Sequence, residues 1–519
     1  LLADALQANE LFAKIEIAGP GFINFFIAQN NQSQIVQQIL SAKDKFGKNQ
    51  QGENQSIHIE YVSANPTGPL HVGHGRGAAY GATLANLYIA NGYQVHREYY
   101  VNDAGRQMDI LATSVWLRYL ELCGAELTVP SNGYKGDYIW DIAATAHREH
   151  GEAYYYDPAS FIPELPKDEP DGGDKEEHID ALIVTAKEKL AEAGYALFFD
   201  LAVETILTDI KDDLHLFGVD YENWYSEKSL FNNSKIQTTI EQLRKSQHVY
   251  EKNGALWFAS SQLGDEKDRV VVRDNGQPTY FASDIAYHAD KFAHGYDKII
   301  NIWGADHHGY IARVRAALKA LSLDDKKLDV LLVQFANLYR GSVKQQMSTR
   351  SGEFVTLRAL RKEVGSDAAR FFYVMRKSEQ HLDFDLELAT SNSNENPMYY
   401  VQYAHARICS VLRQAACELN TISSDTLAEL LTADSENELM KKLADYPEQI
   451  SSACNKQAPH LLVNYIRELA QKFHGYYNET QFLVDSADLR NARLLLIEAT
   501  RQVIANGLYI LGVNAPEKM

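Results

Sequence analysis

Three observations predict an α/β protein with a doubly wound parallel sheet, followed by an all-helical domain. From residue 57 to about residue 390, apolar strand-like runs alternate with segments of helical periodicity, which is typical of a parallel sheet covered by helices. An acidic, turn-rich stretch that begins near residue 126 predicts an insertion reaching to about residue 250. After residue 391 the strand signal disappears, and long amphipathic segments predict a helical bundle.

These patterns divide the chain into three parts. Residues 1–50 are interpreted as the end of a small α+β domain with a linker, residues 51–390 as the sheet domain, and residues 391–519 as the helical domain. The sequence starts at Leu1 without an initiator methionine or a signal-peptide pattern, so we expect it to begin within a longer protein.

The sheet domain is predicted to open with a strand, a loop and a helix. Residues 57–62 form an apolar strand-like run, and Pro66 and Pro69 then prevent the strand from continuing. Apolar residues at helical spacing predict a helix over residues 75–91, and residues 94–101 predict the next strand. This order is that of the first half of a nucleotide-binding βαβ unit.

The remaining elements follow from the same criteria. The other predicted strands are apolar runs bounded by turns, at residues 14–17, 22–27, 255–258, 269–273, 298–303 and 330–335. The other predicted helices before residue 391 each have one apolar face, at residues 33–42, 137–155, 176–194, 202–217, 235–249, 280–293 and 310–321. The predicted helices of the bundle cover residues 398–419, 426–433, 436–454, 460–476 and 486–511.

Composition excludes several classes of protein. The chain of 519 residues has 45% hydrophobic and 23% charged residues, as an ordinary globular protein does. Its 50 basic and 69 acidic residues give a net charge of −19, which argues against indiscriminate binding of polyanions. The four cysteines form no CxxC pair, so neither a structural zinc site nor a disulfide framework is predicted, and a reducing cytoplasm is favoured. No apolar run reaches membrane-spanning length.

Two histidines lie at the start of the first helix of the sheet domain. His71 and His74 are three residues apart and share a helix face, while Gly73 lets a phosphate or base approach the backbone. Free N–H groups at a helix N-terminus bind phosphate, and imidazole donors stabilise charge that grows on phosphoryl oxygens. The pattern predicts a phosphate site, and a helix cap with two incidental histidines is the alternative.

Candidate binding residues lie at predicted strand ends and on one helix. Glu60 is close to the end of the first strand, where the ligand crevice of a parallel sheet is expected. Tyr280 and Asp284 are four residues apart and share a helix face. The turn at Gly304 and Asp306 places a carboxylate at the same edge, where it could hold a ribose hydroxyl. A solvated helix residue and an ordinary turn are the alternatives.

The first segment of the helical domain interleaves aromatic rings with cations. Tyr399, Tyr403, His405 and Arg407 have the side chains that stack on unpaired bases. An aromatic stripe at helical spacing is also common in protein cores, so both interpretations stay open for each residue.

These motifs together resemble a known family. Residues 64–74, ANPTGPLHVGH, resemble the HIGH signature of class I aminoacyl-tRNA synthetases, in the form found in arginyl-tRNA synthetases. The resemblance continues in family order through residues 97–107, 303–309, 347–350 and 399–407. It implies a Rossmann-like catalytic domain, an anticodon-binding helical domain and the remnant of an N-terminal tRNA-contacting domain.

The resemblance also implies an activity and its partners. The expected enzyme is an AMP-forming ligase that uses ATP to attach L-arginine to tRNA(Arg) through an arginyl-adenylate, with release of pyrophosphate. Mg²⁺ is expected to accompany ATP, with no other metal. We further expect a cytoplasmic monomer that binds neither DNA nor a membrane.

Residue roles follow from the same resemblance. The arginine-binding residues implied are Glu60, Asn65, Tyr280, Asp284 and His307. The catalytic and ATP-binding residues implied are His71, Gly73, His74, Gly304, Asp306, Lys344, Met347, Ser348 and Arg350. The tRNA-binding residues implied are Tyr399, Tyr403, His405, Arg407 and Met519.

The second signature loop departs from the family pattern. Residues 346–350 read QMSTR, so both lysine positions of a KMSKS-type loop are altered. Some family members carry a compensating lysine before the first signature histidine, but Gly68 stands at that position here. Lys344 and Arg350 are the nearby cations that could substitute.

Two alternatives to an active arginyl enzyme remain. The altered loop is compatible with a catalytically impaired tRNA-binding paralogue. Another class I synthetase is the second alternative, but the scattered cysteines do not supply the zinc-thiolate pocket of a cysteinyl enzyme, and a glutamyl enzyme needs a basic rather than an acidic pocket.

The resemblance generates one kinetic prediction. Members of the family usually bind tRNA before they activate arginine, so we expect ATP–pyrophosphate exchange to be poor without tRNA and to rise when tRNA(Arg) is added. Exchange measured with labelled pyrophosphate in both conditions tests this, and fast exchange in the absence of tRNA would contradict it.

Overall fold

The elements of the fold are as follows in the computed structural model, which describes residues 12–19, 21–27, 29–345, 355–416 and 419–519. The strands are β1 (Phe12–Ala18), β2 (Phe22–Ile27), β3 (Ser56–Tyr61), β4 (Gln94–Val101), β5 (Asn223–Ser226), β6 (Val249–Lys252), β7 (Ala255–Phe258), β8 (Arg269–Val272), β9 (Lys298–Gly304), β10 (Leu328–Val333), β11 (Ala336–Arg340), β12 (Val343–Lys344) and β13 (Leu382–Asp385). The helices up to residue 390 are α1 (Gln29–Ala42), α2 (Val72–Ala90), α3 (Arg106–Leu122), α4 (Asp137–His150), α5 (Lys175–Leu216), α6 (Lys228–Asn232), α7 (Lys235–Lys245), α8 (Tyr280–Ala293), α9 (Ile311–Ala320), α10 (Leu357–Val364), α11 (Ser366–Val374) and α12 (Leu386–Thr390). The later helices are α13 (Pro397–Ala415), α14 (Ser424–Leu430), α15 (Asp434–Ala444), α16 (Tyr446–Asn455), α17 (His460–Glu479) and α18 (Ala487–Leu511).

A five-stranded parallel sheet forms the centre of the first large domain. Its strand order is β10-β9-β3-β4-β5, and every neighbouring pair is parallel. From β3 the chain builds outward through β4 and β5, and it later returns to the other side of β3 through β9 and β10. The point where this order reverses lies between β3 and β9, where a parallel sheet opens a crevice for ligands. The predicted doubly wound fold is confirmed.

Two smaller sheets stand beside the central one. β6, β7 and β8 form an antiparallel sheet that packs near α8, and β12, β11 and β13 form a mixed sheet. The hairpin of β1 and β2 at the start of the described chain is separate from both.

Two helix predictions differ from the structure. The break predicted between the helices at residues 176–194 and 202–217 lies earlier in the structure, because α5 consists of two helical stretches that meet at a kink at Ala191, where φ is 53°. Its apolar face continues through the predicted gap because Phe198 is buried there against Tyr119 of α3, with ring centroids 5.2 Å apart. Conversely, the helix predicted at residues 436–454 is split into α15 and α16, since Pro447 occupies the first turn of α16.

The helices from α13 to α18 form the predicted bundle. α18 packs against both α13 and α17, and residues such as Leu496, Ile497 and Val503 are fully buried. This helix is long and apolar enough to cross a membrane by length and composition, but 72% of the relevant window is buried in the protein. Its apolar character is therefore that of a core helix.

A buried arginine ties the bundle to the sheet domain. Arg370 on α11 donates hydrogen bonds to the carbonyl of Leu511 at 3.0 Å, of Phe217 at 3.1 Å and of Gly218 at 2.8 Å. Gly512, at a φ of 66°, follows α18 so closely that a Cβ atom there would lie 2.3 Å from the guanidinium. The guanidinium thus joins the ends of α5 and α18, which belong to different domains.

We predict that Arg370→Met destabilises the protein by about 3 kcal/mol, because three buried carbonyl groups lose a charged donor. The measurement is the midpoint of urea denaturation followed by tryptophan fluorescence. Arg413→Met is the matched control, since Arg413 is exposed and donates to a single carbonyl, that of Glu517. Equal midpoints for the two variants would show that Arg370 does not join the domains.

Candidate active site

The segment that leaves β3 turns sharply out of the sheet at the crevice. Val62 and Ser63 have φ values of 71° and 42°, a left-handed conformation that costs a non-glycine residue about 1–3 kcal/mol. Two tyrosines of β4 offset this strain. The Tyr100 N–H donates to the Ser63 hydroxyl at 3.1 Å, and the Tyr99 hydroxyl donates to the Ala64 carbonyl at 2.9 Å.

The two signature histidines cap α2. The N–H of Gly73 donates to Nδ1 of His71 at 3.0 Å, and the N–H of His71 donates to Nδ1 of His74 at 3.3 Å. The two rings stack with centroids 3.6 Å apart. A side chain at position 73 would collide with the His71 ring, at 2.8 Å, which explains the glycine.

This capping fixes the tautomer of both imidazole rings. Since each Nδ1 accepts a hydrogen bond, the proton of a neutral ring lies on Nε2, which makes Nε2 the donor atom of each ring. Burial lowers the pKa of His71, and burial together with the neighbouring His71 lowers the pKa of His74 to about 3. Both rings are therefore neutral at pH 7, and they place Nε2–H donors at a helix N-terminus that itself attracts anions.

The second signature loop is bounded by residues near this cap. Met347, Ser348 and Arg350 lie outside the described residues, which resume at Val355. The Val72 N–H donates to the Val355 carbonyl at 3.1 Å, and the Leu357 N–H donates to the Leu70 carbonyl at 2.7 Å. The chain therefore leaves the loop directly beside the HIGH segment.

Lys344 is the other cation predicted for this loop. It is exposed at the end of β12, just before the loop in the sequence.

Asp284 forms an acidic position in the crevice. It lies on α8, and its Oδ2 accepts a hydrogen bond from the Tyr310 hydroxyl. Burial, together with the charge of Glu60, raises the pKa of Asp284 to about 6, although the Tyr310 hydroxyl and the cation Arg313 act in the opposite direction. A carboxylate whose ionised form is disfavoured by burial and by a second carboxylate favours a cationic ligand.

Glu60 already has a cationic partner. It is 6% exposed, and its Oε2 accepts a hydrogen bond of 2.5 Å from Nζ of Lys291 on α8. Burial alone would raise the pKa of Glu60, but the Lys291 ammonium more than offsets this and the pKa is lowered. Lys291 also donates to Asn301 at 2.9 Å, so the ammonium is fixed from two strands. The structure thus places Glu60 in the pocket wall with its charge compensated.

The other predicted arginine-binding residues lie at the rim of the crevice. The exposed Asn65 accepts a hydrogen bond from Asn102 at 3.0 Å. Tyr280 is 52% exposed, and its hydroxyl accepts from the Arg106 N–H at 3.3 Å. Asn102 follows β4 and Arg106 begins α3, so the connection between these two elements shapes the site. The His307 side chain is exposed next to Asp306.

The strand-end turn of β9 lies where it was predicted. Gly304 ends β9, and Asp306 belongs to the 3-10 helix Ala305–Tyr310 that follows. The Asp306 side chain is 58% exposed and lies 3.6 Å from His307. Its carboxylate is accessible to a ribose at the same sheet edge.

Sequence reasoning missed Glu227, which lies in the same crevice. Glu227 directly follows β5, is 3% exposed, and burial raises its pKa to about 7, helped by Asp284 and Asp103. The signal was present, because a carboxylate after a strand is a candidate site residue. The four-residue strand β5 was itself not predicted, so Glu227 was not recognised as a residue that follows a strand.

The aromatic and cationic residues of α13 differ in exposure, and some of them lie at the surface. Tyr399 and Tyr403 are partly exposed and stack with centroids 5.7 Å apart. Arg407 lies over the Tyr403 ring at 4.6 Å and over the Tyr477 ring at 4.5 Å. Met519 is 54% exposed at the end of the chain.

His405 differs from these residues. It is 1% exposed, and its Nδ1 lies 2.9 Å from the Pro516 carbonyl, so it holds the chain terminus. The prediction that His405 contacts RNA conflicts with this burial, because its position on the inner face of α13 separates it from the surface.

The fold and the capped histidines define a class of protein. A methionyl-tRNA synthetase from Mycobacterium tuberculosis superposes with a TM-score of 0.56 over 87% of this chain and 90% of that chain, at 11% identity, which shows a shared fold. The family model "tRNA synthetases class I (R), catalytic domain" matches residues 35–125 and 188–391. The models "DALR anticodon binding domain" and "Arginyl tRNA synthetase N terminal domain" match residues 401–519 and 1–27.

Curated relatives specify the family. An arginine–tRNA ligase from Thioalkalivibrio sulfidiphilus is 60% identical over 99% of this chain and 88% of its own length. One from Legionella pneumophila strain Paris is 55% identical over 100% of this chain and 88% of its own. The arginyl-tRNA synthetase structure from Thermus thermophilus has a TM-score of 0.74 at 24% identity, covering 100% of this chain and 91% of that one. The chain belongs to the arginyl-tRNA synthetase family.

The pKa of His74 generates a prediction. In protein labelled with ¹³C-histidine, the His74 ring signal should not shift between pH 5 and pH 8, because its lowered pKa keeps the ring neutral throughout. The exposed His215 is the internal control, since its hydrogen bond to Asp220 raises its pKa above the ordinary value and its ring signal should therefore shift as the pH is lowered. The signals are assigned with His74→Gln and His215→Gln, and titration of His74 near pH 6.5 would contradict the capping arrangement.

Proposed function

We propose that the crevice between β3 and β9 is the site where this arginyl-tRNA synthetase joins arginine to ATP and transfers the arginyl group to tRNA. The chain belongs to a family of arginine–tRNA ligases. The observation that supports these residue roles best is the buried carboxylate of Asp284 at the same sheet edge as the capped histidines. A cation pocket and an anion site there suit a substrate with a guanidinium at one end and a carboxylate at the other.

In the first step, the carboxylate of arginine attacks the α-phosphorus of ATP. The bond to the pyrophosphate oxygen breaks, and its electron pair leaves with pyrophosphate. Charge grows on the phosphoryl oxygens, where Nε2–H of His71 and His74 and the N–H groups of the α2 terminus can stabilise it.

In the second step, the 2′ hydroxyl of the terminal adenosine of tRNA attacks the arginyl carbonyl carbon. The electron pair of the broken bond leaves with AMP, which takes the proton. No protein nucleophile takes part, so the enzyme acts by positioning and charge stabilisation.

The substrates are assigned to three groups of residues. Asp284 and Tyr280 hold the guanidinium, Glu60 lines the pocket, and Asn65 and His307 face the other end of arginine. Gly304 and Asp306 contact the ribose of ATP. The loop residues Lys344, Met347, Ser348 and Arg350 follow the pyrophosphate.

Mg²⁺ is proposed to enter with the phosphates of ATP. Across the part of the chain that the structure describes, no group of three or more His, Cys, Asp or Glu side chains is arranged to hold a metal ion. Carboxylates such as Asp306 remain accessible near the crevice for water-mediated contacts.

The bundle is proposed to bind the anticodon arm of tRNA(Arg) through Tyr399, Tyr403, Arg407 and Met519. Stacked, partly exposed tyrosines beside a guanidinium suit unpaired bases. We further propose a cytoplasmic monomer without a DNA or membrane partner.

We predict that Asp284→Asn lowers kcat/KM for arginine by about 100-fold, because a charged hydrogen-bonded pair in a buried pocket is worth about 3 kcal/mol. In the wild type, KM for arginine should rise as the pH falls below about 6, since only the deprotonated carboxylate pairs with the guanidinium. The assay is tRNA charging with labelled arginine between pH 5.5 and pH 8.

Asp290→Asn is the matched control, because Asp290 is on the same helix and pairs with Lys235 instead. Its KM for arginine should stay within about threefold of the wild type. An Asp284→Asn enzyme with unchanged KM would overturn the assignment of the pocket, and an inert wild type with intact tRNA would favour the impaired paralogue.

We predict that Lys344→Ala or Arg350→Ala lowers kcat for charging by at least about tenfold, because one of these cations replaces the altered signature lysines in stabilising the leaving pyrophosphate. Lys326→Ala, a substitution of an exposed lysine before β10, is the control and should leave kcat unchanged. If both loop variants keep the wild-type kcat in single-turnover measurements, neither cation has that role.

A further inference from the structure

Arg76 is a buried cation that the mechanism described above does not use. It lies on α2, two residues after His74, and is 1% exposed. Its Nη1 donates hydrogen bonds to the carbonyls of Gln334 at 2.8 Å and Gln380 at 2.7 Å, and its Nη2 donates to the carbonyl of Lys377 at 2.9 Å. All three acceptors are backbone groups, so these bonds fix the position of the main chain.

The guanidinium joins two strands of the mixed sheet where their pairing begins. β11 and β13 are parallel, and Ala336 lies opposite Leu382. Gln334 and Gln380 each precede these positions by two residues, so Nη1 bridges two carbonyls at the same level of the two strands. The Gln334 N–H also donates to the Ser378 carbonyl at 2.8 Å. The helix that begins with the signature histidines is thereby bound to the base of the mixed sheet.

The same sheet carries Lys344. β11 and β12 form an antiparallel hairpin in which Tyr339 pairs with Lys344. Since β11 runs from the guanidinium to this hairpin, it determines where the backbone of Lys344 lies relative to α2. On the other side of the second signature loop, the backbone bonds of Val72 and Leu357 tie the chain to the HIGH segment. The chain is therefore bound to the HIGH segment and its helix both before and after this loop.

An arginine suits this junction better than another cation. Burial lowers the pKa of Arg76 to about 10, which leaves the side chain charged at neutral pH. Hydrogen bonds from a charged donor are stronger than neutral ones, and the planar fork holds its acceptors in a fixed arrangement. Arg370 makes the same kind of contact with three carbonyls at the junction of α5 and α18. Both guanidinium groups join segments that are distant in sequence.

We propose that Arg76 is a positioning residue for adenylate formation, which holds the hairpin of Lys344 at the distance from His71 and His74 where all three act on the phosphates of ATP. Arg76 itself touches no substrate. This inference rests on the proposed function, in which Lys344 follows the leaving pyrophosphate, and it adds the residue that connects Lys344 to the histidine cap.

The consequence concerns the rate of the reaction and not the binding of arginine. The proposed arginine pocket is built from Glu60 on β3 and Asp284 on α8, and Arg76 bonds to neither. Charge on the pyrophosphate grows only as the bond to the α-phosphorus breaks, so a displaced Lys344 weakens the transition state more than the bound substrates. Loss of Arg76 should therefore lower kcat and leave KM for arginine nearly unchanged.

The test is a double-mutant cycle of Arg76→Lys and Lys344→Ala, measured by tRNA charging with labelled arginine at saturating ATP and tRNA(Arg). A lysine at position 76 keeps the charge, but its single nitrogen cannot occupy both positions of the fork. Arg76→Lys should lower kcat about tenfold, with KM for arginine within about threefold of the wild type. Lys344→Ala should lower kcat at least about tenfold in the wild type but less than about twofold in the Arg76→Lys background.

Controls separate this role from a general loss of stability. Arg370→Lys makes the same change at a guanidinium that is also bonded to three carbonyls, so it should lower the urea midpoint by a similar amount. Its kcat should stay within about twofold of the wild type, and its effect should add to that of Lys344→Ala. Arg76→Gln is the second variant of the cycle, because it has no charge to bury and should keep its fold, which circular dichroism checks.

The outcomes are distinguishable. Additive effects of Arg76→Lys and Lys344→Ala, or a wild-type kcat in Arg76→Lys, would overturn the positioning role of Arg76 and leave the proposed function intact. A folded wild type that binds ATP but does not charge tRNA would overturn both.

Discussion

The pairing of β3 with β4 on one side and β9 on the other determines where the chemistry takes place. Because the chain leaves these neighbours in opposite directions, a crevice opens at their carboxyl ends. The capped helix α2 begins on one side of this crevice and the turn of β9 lies on the other. The strained conformation of Val62 and Ser63 directs the chain from β3 into the crevice instead of along the sheet.

Charge is arranged along the crevice in two zones. At the α2 terminus, burial keeps His71 and His74 neutral and the capping hydrogen bonds place their protons on Nε2, which suits an anion without placing fixed positive charge there. On α8, Lys291 neutralises Glu60, so the negative charge that remains is that of Asp284 and its surroundings. A substrate with an anionic and a cationic end is thereby oriented by the sheet edge itself.

Sequence reasoning found the parts of the site that follow long, periodic elements. Apolar periodicity located the strand that contains Glu60 and the helix that carries Tyr280 and Asp284. The end of a predicted strand located the turn at Asp306. A helix cap was considered only as the alternative to a phosphate site. The histidine tautomers that the capping fixes were not predicted, because they depend on backbone geometry that the residue types alone do not determine.

Other parts required the tertiary structure. β5 is four residues long, so Glu227 beyond it was missed, and the ion pair of Glu60 with Lys291 joins residues 231 positions apart. The aromatic stripe of α13 was ambiguous, since helical spacing alone does not separate the buried His405 from the accessible Tyr399. Burial and long-range pairing are decided by the packing of distant elements, which local patterns do not record.

The central claim is that a buried negative charge selects the cationic side chain of arginine. It is tested most directly by calorimetric titration of the wild-type protein at pH 7.5 with arginine and with citrulline, whose urea group has nearly the same shape but no charge. The account predicts that arginine binds at least about 100-fold more tightly, as expected for a charge paired in a buried pocket. Comparable affinities for the two ligands would contradict it, because shape rather than charge would then determine binding.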